Sequence, residues 1–361
     1  MIKITITENE SGQRLDRFLK KYLKSAPLAR IYRILRKDLK VNGKREDADY
    51  MLAADDELCL YINEEELAGY TKQSLSPHAK RQFAIAYEDE NVLVVEKPFG
   101  LLTHGDAHEK KNTLANQVCG YLQEKGEYNP ACERTFVPSP VNRLDRNTTG
   151  LVVFGKNAAA LKDLNFMIRE RGYVSKYYLT VVAGELEEKL VLRDRMQKDE
   201  KSNTVSVLPQ ENGEGKLMET VARPLQSRRG YTLVEVELVT GRTHQIRAHL
   251  AKAGYPVIGD SKYGKPFVNE KIRKKFGLTT QFLHAYRLRF ESGSGSLQYM
   301  TGLEIKAKLP ADFELIKTRI FESADSEQKR SRFEETGKPA GVSHKGHKSN
   351  GGNKYDRGRK N

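Results

Sequence analysis

Residues 141–155 read VNRLDRNTTGLVVFG, and the stretch changes character halfway. Leu151 to Phe154 is an unbroken apolar run between Gly150 and Gly155, the pattern of a short buried strand. Ahead of it, Asp145 stands between Arg143 and Arg146 and is followed by Asn147, Thr148 and Thr149, with no helical period. A polar loop feeding a buried strand holds its side chains at the edge of a cleft, so Asp145 is the leading candidate for a functional carboxylate.

The tetrapeptide RLDR also occurs at residues 14–17, so four letters alone identify nothing. There, Leu15, Phe18, Leu19, Tyr22 and Leu23 recur at i, i+3, i+4, i+7 and i+8, one face of an amphipathic helix. Asp16 falls in the first turn, where a carboxylate complements the helix dipole and pairs with nearby bases. The first copy reads as structural and the second as functional.

The 361 residues carry 62 Lys plus Arg against 48 Asp plus Glu, a net charge of +14. Such an excess favours polyanionic partners through counterion release. With 38% hydrophobic residues the chain can bury the cores of two domains, and no run resembles a membrane span. The opening MIKITITENE lacks the apolar stretch and small-residue cleavage site of a secretory signal. Cys59, Cys119 and Cys132 lie far apart and form no CxxC pair, which indicates neither a disulfide framework nor a zinc site. A soluble protein of the reducing cytoplasm is expected. On a helix His244 and His249 would point about 140° apart, too far to share a metal. Gly100, Gly150 and Gly241 make no GxGxxG or Walker pattern, so no nucleotide cofactor is implied.

Beyond Pro27, a second helix has Leu28, Ile31, Ile34 and Leu35 on its apolar face and a basic ridge of Arg30, Arg33 and Lys37. Leu39 to Val41 and Leu58 to Ile62 read as strands, the first followed by an Asn42-Gly43 turn. RLDRFL, the basic ridge and KVNGK resemble an S4 domain, a small RNA-binding module; the resemblance places it at residues 1–62 and implies RNA contact by Arg30, Arg33 and Lys37. Asn63 to Gln82 is polar, holds Pro77 and lacks a sustained apolar period, the marks of a linker.

A second domain is expected from Phe83. Phe83–Tyr87 and Val92–Val95 read as a hairpin that delivers EKPFG into a loop, and a helix is expected near Thr113–Gln123. Another helix follows at about Ala158–Arg171, then strands at Val174–Val182 and Tyr231–Val239, and a sharp Thr240-Gly241-Arg242 turn. On the first of these strands Lys176, Tyr178, Thr180 and Val182 share one face.

The motifs EKPFGLLTH, NRLDRNTTG, Lys176-x-Tyr178, GRTHQIRAHL and GYPVIGDSKYG follow one another in this second domain. In that order they resemble the RluA-type family of pseudouridine synthases. With the S4-like front end, the chain is most similar to the RluC and RluD class acting on large-subunit ribosomal RNA. The resemblance implies an α+β architecture, with an S4-like domain followed by a mixed antiparallel-sheet catalytic domain over residues 83–322. It places the family's essential aspartate at Asp145, its aromatic strand residue at Tyr178 and its aspartate-pairing arginine at Arg247. It also departs from the family pattern at Asn142, Asn147 and Thr149, where His, Asp and Ser are usual; each substitute still hydrogen-bonds.

The reaction so implied breaks the N1–C1′ bond of uridine, turns the uracil and joins C5 to C1′, with no redox change. A carboxylate suffices, acting covalently at sugar or base, or as a base that forms a glycal. Arg247 would keep Asp145 ionised and oriented. Tyr178 would stack on uracil, its hydroxyl assisting removal of the C5 proton. The base must be flipped out of its helix at a cost of a few kcal/mol. Arg143, Arg146, Arg242, His244 and the Lys271–Lys275 cluster would offset that cost by holding RNA. The expected substrate is 23S rRNA, with transfer RNA as the alternative and a non-catalytic ribosome-assembly factor as the competing class. From Ser323 the chain turns to Lys, Arg, Ser, Gly and Asn, a composition that predicts a disordered basic tail adding RNA affinity.

Overall fold

The computed structural model describes residues 1–71, 79–199 and 204–322. The basic tail expected from Ser323 lies outside the described residues, as does the 72–78 part of the expected linker.

The N-terminal layer runs β1 (Ile2–Thr5), α1 (Leu15–Tyr22), α2 (Leu28–Lys37), β2 (Leu39–Val41) and β3 (Glu57–Leu60). Its three strands pair antiparallel in the order β1-β3-β2. Both helices bury the faces their periodicity gives: Leu15, Phe18 and Leu19 from α1 meet Ile31, Ile34 and Leu35 from α2 over Leu58 and Leu60. Asp16 pairs with Arg14 at 3.1 Å and Lys20 at 3.0 Å, as a structural first-turn carboxylate should. Asn42 and Gly43 both take positive φ, the conformation a tight hairpin turn demands.

The expected linker is not wholly irregular. Glu64–Thr71 forms α3, with Asn63 accepting from the Glu66 amide at its start. Leu67 and Tyr70 pack on the N-terminal core, and Glu66 binds Arg30 at 2.6 Å. Among the described residues of this helix, Leu67 and Tyr70 supply its apolar packing, too few positions to register as a period in sequence.

The rest builds one large sheet. In chain order come β4 (Ala84–Glu88), β5 (Val92–Lys97), α4 (Leu114–Glu124), β6 (Ser139–Pro140), β7 (Thr149–Gly155), α5 (Ala158–Arg169), β8 (Val174–Ala183), β9 (Leu190–Asp199), β10 (Thr204–Leu208), β11 (Lys216–Arg228) and β12 (Tyr231–Leu238). They are followed by α6 (Gln245–Lys252), α7 (Pro266–Phe276), β13 (Leu283–Phe290), β14 (Glu304–Lys306) and α8 (Ala311–Phe321). The strand path is β10-β9-β11-β12-β8-β13-β7-β5-β4, with β14 on β13 and β6 on β7. All these pairings are antiparallel except β13 with β7, so the α+β class with a mixed sheet is observed.

The LVVF run is apolar throughout because the sheet is covered on both faces there. Leu151 and Val153 pack with Ala160, Leu164 and Met167 of α5, while Val152 and Phe154 pack with Leu114, Val118 and Leu122 of α4. Thr113 and Asn157 cap these two helices through their side chains.

Gly150 is where β7 meets β13, opposite Ala285. Its φ is +111°, and a Cβ there would lie 2.1 Å from the Ala285 carbonyl oxygen. The Asp145 loop therefore enters the sheet through a position that only glycine fills without displacing backbone. Gly150→Ala is expected to lose roughly 3 kcal/mol or more of stability in urea unfolding. Gly241→Ala, where a Cβ meets nothing within 4 Å, should lose far less.

Candidate active site

Three segments converge on a cavity of about 230 Å³: the 141–148 loop ahead of β7, the middle of β8, and the turn from β12 into α6. Asp145, Lys176, Tyr178, Arg242, His244 and Arg247 all line it. Register explains the meeting. Tyr178 on β8 lies between Val236 of β12 and Ala285 of β13, and Ala285 is opposite Gly150 at the end of the Asp145 loop.

Arg247 is the centre of the polar network. Its Nε and Nη2 donate to Asp260 at 2.6 and 2.8 Å, and its Nη1 donates to Asp145 Oδ2 at 3.0 Å. Asp260 is wholly buried and Arg247 is 5% exposed, while Asp145 is 26% exposed, so the chain of charges runs from the core to the open cavity. Burial alone would raise the Asp260 pKa. Hydrogen bonds from Arg247 and from the Lys262 and Tyr263 amides outweigh it and hold the carboxyl below its usual range.

The Asp145 loop is fixed from behind. Thr103 Oγ1 donates to the Leu144 carbonyl at 3.1 Å and also lies 3.2 Å from the Leu144 amide. Lys97, the last residue of β5, is almost wholly buried and donates to the carbonyls of Pro98, Leu101 and Arg146 at 2.8–3.0 Å. Burial pushes its ammonium down to about 7, against the opposing pull of the Asp145 charge. Asn142 spends its amide on the Leu151 carbonyl and the Val153 amide, which ties the loop's start to β7.

The opposite wall is fixed by Gln245. Its Oε1 accepts from Thr240 and the Arg242 amide, and its Nε2 donates to the Glu219 carbonyl and to Thr220. His244, at the start of α6, sits in the left-handed region with φ of 52°. Its Nδ1 is 3.0 Å from the Tyr263 hydroxyl and its Nε2 is 3.8 Å from Asp145. Burial lowers the His244 pKa despite the nearby Asp145 charge. The imidazole therefore faces the cavity as a neutral hydrogen-bonding group at neutral pH.

The other candidate residues divide. Arg143 and Arg242 are exposed and line the cavity. Arg146 is exposed, pairs with Asp106 at 3.2 Å and lies outside the cavity wall. Arg30, expected to contact RNA, is paired with Asp38 and Glu66 at 2.7 and 2.6 Å, whereas Arg33 and Lys37 of the same helix are exposed. The Lys271–Lys275 cluster is not at the cavity either: it belongs to α7 and lines a separate groove. His249 turns away to Thr220 and Asp194.

Sequence reasoning did not single out Asp260, Lys97 or Tyr263. Lys97 left one signal, a lysine closing an apolar strand just before proline. Asp260 and Tyr263 stand inside the GYPVIGDSKYG motif, but an aspartate after glycine is ordinary turn chemistry, so the motif alone gave neither a role.

A cavity with one carboxylate, an arginine holding it, a buried tyrosine beside it and cations at its rim defines an enzyme-like cleft for a polyanion. Residues 91–252, from β5 through α6, match the family described as RNA pseudouridylate synthase. Ribosomal large subunit pseudouridine synthase C of Escherichia coli strain K12 is 35% identical over 307 residues, covering 81% of this chain and 90% of that protein. The protein of the same name from Vibrio vulnificus is 36% identical over 294 residues, covering 80% and 87%. The solved structure of Human RNA Pseudouridylate Synthase Domain Containing 1 shares the fold, with a TM-score of 0.51 at 21% identity over 72% of this chain and 98% of that one. The chain belongs to the RNA pseudouridylate synthase family and is an isomerase acting on RNA.

Two buried histidines outside the cavity give the fold a pH dependence. Burial pushes His249 and His284 down to about 4, the Asp194 charge opposing it at His249. Free histidine titrates near 6.5, so on acidification the unfolded chain takes up these protons first and stability falls from about pH 6.5 to pH 4. His249→Gln is expected to flatten part of that fall in urea midpoints measured across this range. A fall of unchanged depth would remove His249 from the account.

Proposed function

We propose that this chain converts specific uridines of 23S rRNA to pseudouridine, with Asp145 as the catalytic carboxylate. One observation carries the reading. Among the described residues that line the cavity, Asp145 is the only acid, and Arg143, Lys176, Arg242 and Arg247 stand around it. A uridine flipped into this space meets one anion, four cations and apolar side chains that include Leu144, Ile168 and Leu238, which suits attack or proton removal at a sugar whose phosphates the cations attract.

Asp145 runs the cleavage of N1–C1′ and the formation of C5–C1′, either through a covalent adduct or through a glycal. The proton lost from C5 and the proton gained at N1 balance, so neither reductant nor cofactor enters. Arg247 orients Asp145 and is itself held by Asp260. Tyr178 stays a neutral phenol, because burial first and the Asp145 charge second oppose its ionisation. Its ring is the stacking surface for uracil and its hydroxyl a donor rather than a phenolate base. Arg143, Arg242 and His244 hold the RNA at the rim, and the exposed Arg33 and Lys37 of an S4-like front end add contacts beyond it. The substrate assignment draws on the two relatives named for the ribosomal large subunit. The cytoplasm is the compartment where that RNA is met.

Pseudouridine mapping in unmodified ribosomal and transfer RNA, after incubation with wild type and with Asp145→Asn, tests the proposal. New pseudouridine in 23S rRNA from the wild type is expected, with a loss of about a thousandfold or more for Asp145→Asn. Modification of transfer RNA alone would move the substrate, and equal products from both proteins would remove Asp145 from the chemistry.

A further inference from the structure

The α7 groove is a second cationic surface that the reaction does not use. It encloses about 480 Å³ and is lined by Arg229, Tyr231, Lys271, Lys274, Lys275 and Phe276, together with two isoleucines. It has no lining residue in common with the Asp145 cavity. Lys271, Lys274 and Lys275 recur at i, i+3 and i+4, one face of the helix.

No carboxylate lines this groove. The single acid of α7, Glu270, binds Arg273 through two hydrogen bonds at 2.8 and 3.0 Å and reaches Lys274 only at 3.4 Å. Lys271 Nζ sits 4.2 Å above the ring of Phe267, which is 71% exposed, and Lys275 Nζ is 5.2 Å from the ring of Phe276. Like charges on adjacent turns repel, and an exposed phenylalanine gains nothing from water. Both features are relieved together by a ligand with closely spaced anions and flat faces.

We infer that the α7 groove binds a stretch of the substrate RNA lying outside the target nucleotide, its lysines on phosphates and its aromatic residues against bases. The inference rests on the reading of the chain as an RNA enzyme and adds a second contact to it. Such a contact acts on capture of a long RNA and leaves the chemical step alone, so it raises affinity without changing kcat.

The test replaces Lys271, Lys274 and Lys275 with glutamine, one at a time and together, and measures binding to a full-length large-subunit rRNA transcript and to a short hairpin across a salt series. On the transcript, log K against log salt is expected to flatten by about two to three units, and affinity to fall at least tenfold. Hairpin binding and kcat should match wild type. Replacing the three lysines with arginine should restore the slope. Arg273→Gln, which removes one charge from the same helix outside the groove, is expected to change the slope much less than any one of the three lysines. An unchanged slope for the triple variant overturns the proposal, as does a loss from Arg273→Gln equal to that of each lysine. Binding is read without turnover, so a wild type that makes no pseudouridine would sink the assigned reaction while leaving the groove tested.

Discussion

The site depends on one buried guanidinium. Arg247 is nearly cut off from water, and an uncompensated charge there would cost several kcal/mol. Asp260 compensates it with a two-point hydrogen-bonded pair, and the Lys262 and Tyr263 amides in turn satisfy Asp260. That leaves the Nη1 side of the guanidinium to face the cavity, and Asp145 accepts from it. Three stretches more than ten residues apart must therefore meet at one atom group. The β12-β8-β13-β7 order brings them there, with Gly150 allowing the last two strands to touch.

Around that centre, side chains hold backbone and leave the cavity clear. Lys97 and Thr103 bind the carbonyls of the Asp145 loop, and Gln245 binds the turn on the other side. The ammonium of Lys97 is an unusual strut, since burial works against its charge, yet three carbonyls at short range give it the partners a buried donor needs. His244 occupies a left-handed conformation that a non-glycine residue adopts at a cost of about 1–3 kcal/mol. The Tyr263 hydroxyl, 3.0 Å from its Nδ1, and the edge of the Tyr263 ring hold the imidazole there.

Much of this was legible in sequence, and the limits have physical causes. The helices at 15–22, 28–37, 114–124 and 158–169 each bury one stripe and so show a period. Strand β7 is buried on both faces and shows as an apolar run. Strands β9 and β11 escaped notice because charge falls on both faces, Arg193 with Glu219 on one and Asp194 with Lys252 on the other, which breaks any apolar alternation. In the site, Asp145, Tyr178 and Arg247 stand within motifs whose order pointed to a family, and the structure brings all three to one cavity. Asp260 stood in the GYPVIGDSKYG motif without a role, because that role comes from its burial against Arg247, which sequence does not record. The ion pairs of Arg30 were hidden for the converse reason: helical spacing shows which face a cation takes, but not that Asp38 and Glu66 arrive there from later in the chain.

The N-terminal layer is tied to this machinery by a similar device. Glu10 is wholly buried and accepts from the Arg134 amide at 2.9 Å and the Thr7 amide at 3.2 Å, with the Arg134 guanidinium at 3.3 Å. Its neighbour Asn9 accepts from the Ala158 amide at the start of α5. Helix α5 packs on Leu151 and Val153 of β7, the strand that carries the Asp145 loop into the sheet. Removing Glu10 would leave the Thr7 and Arg134 amides without their acceptor, while the Arg134 guanidinium would keep the carbonyls of Thr5 and Cys132, a loss of more than one hydrogen bond. The N-terminal layer is thus seated by Glu10 on Arg134, between α4 and β6, and by Asn9 on the start of α5, and α5 in turn supports the strand behind Asp145.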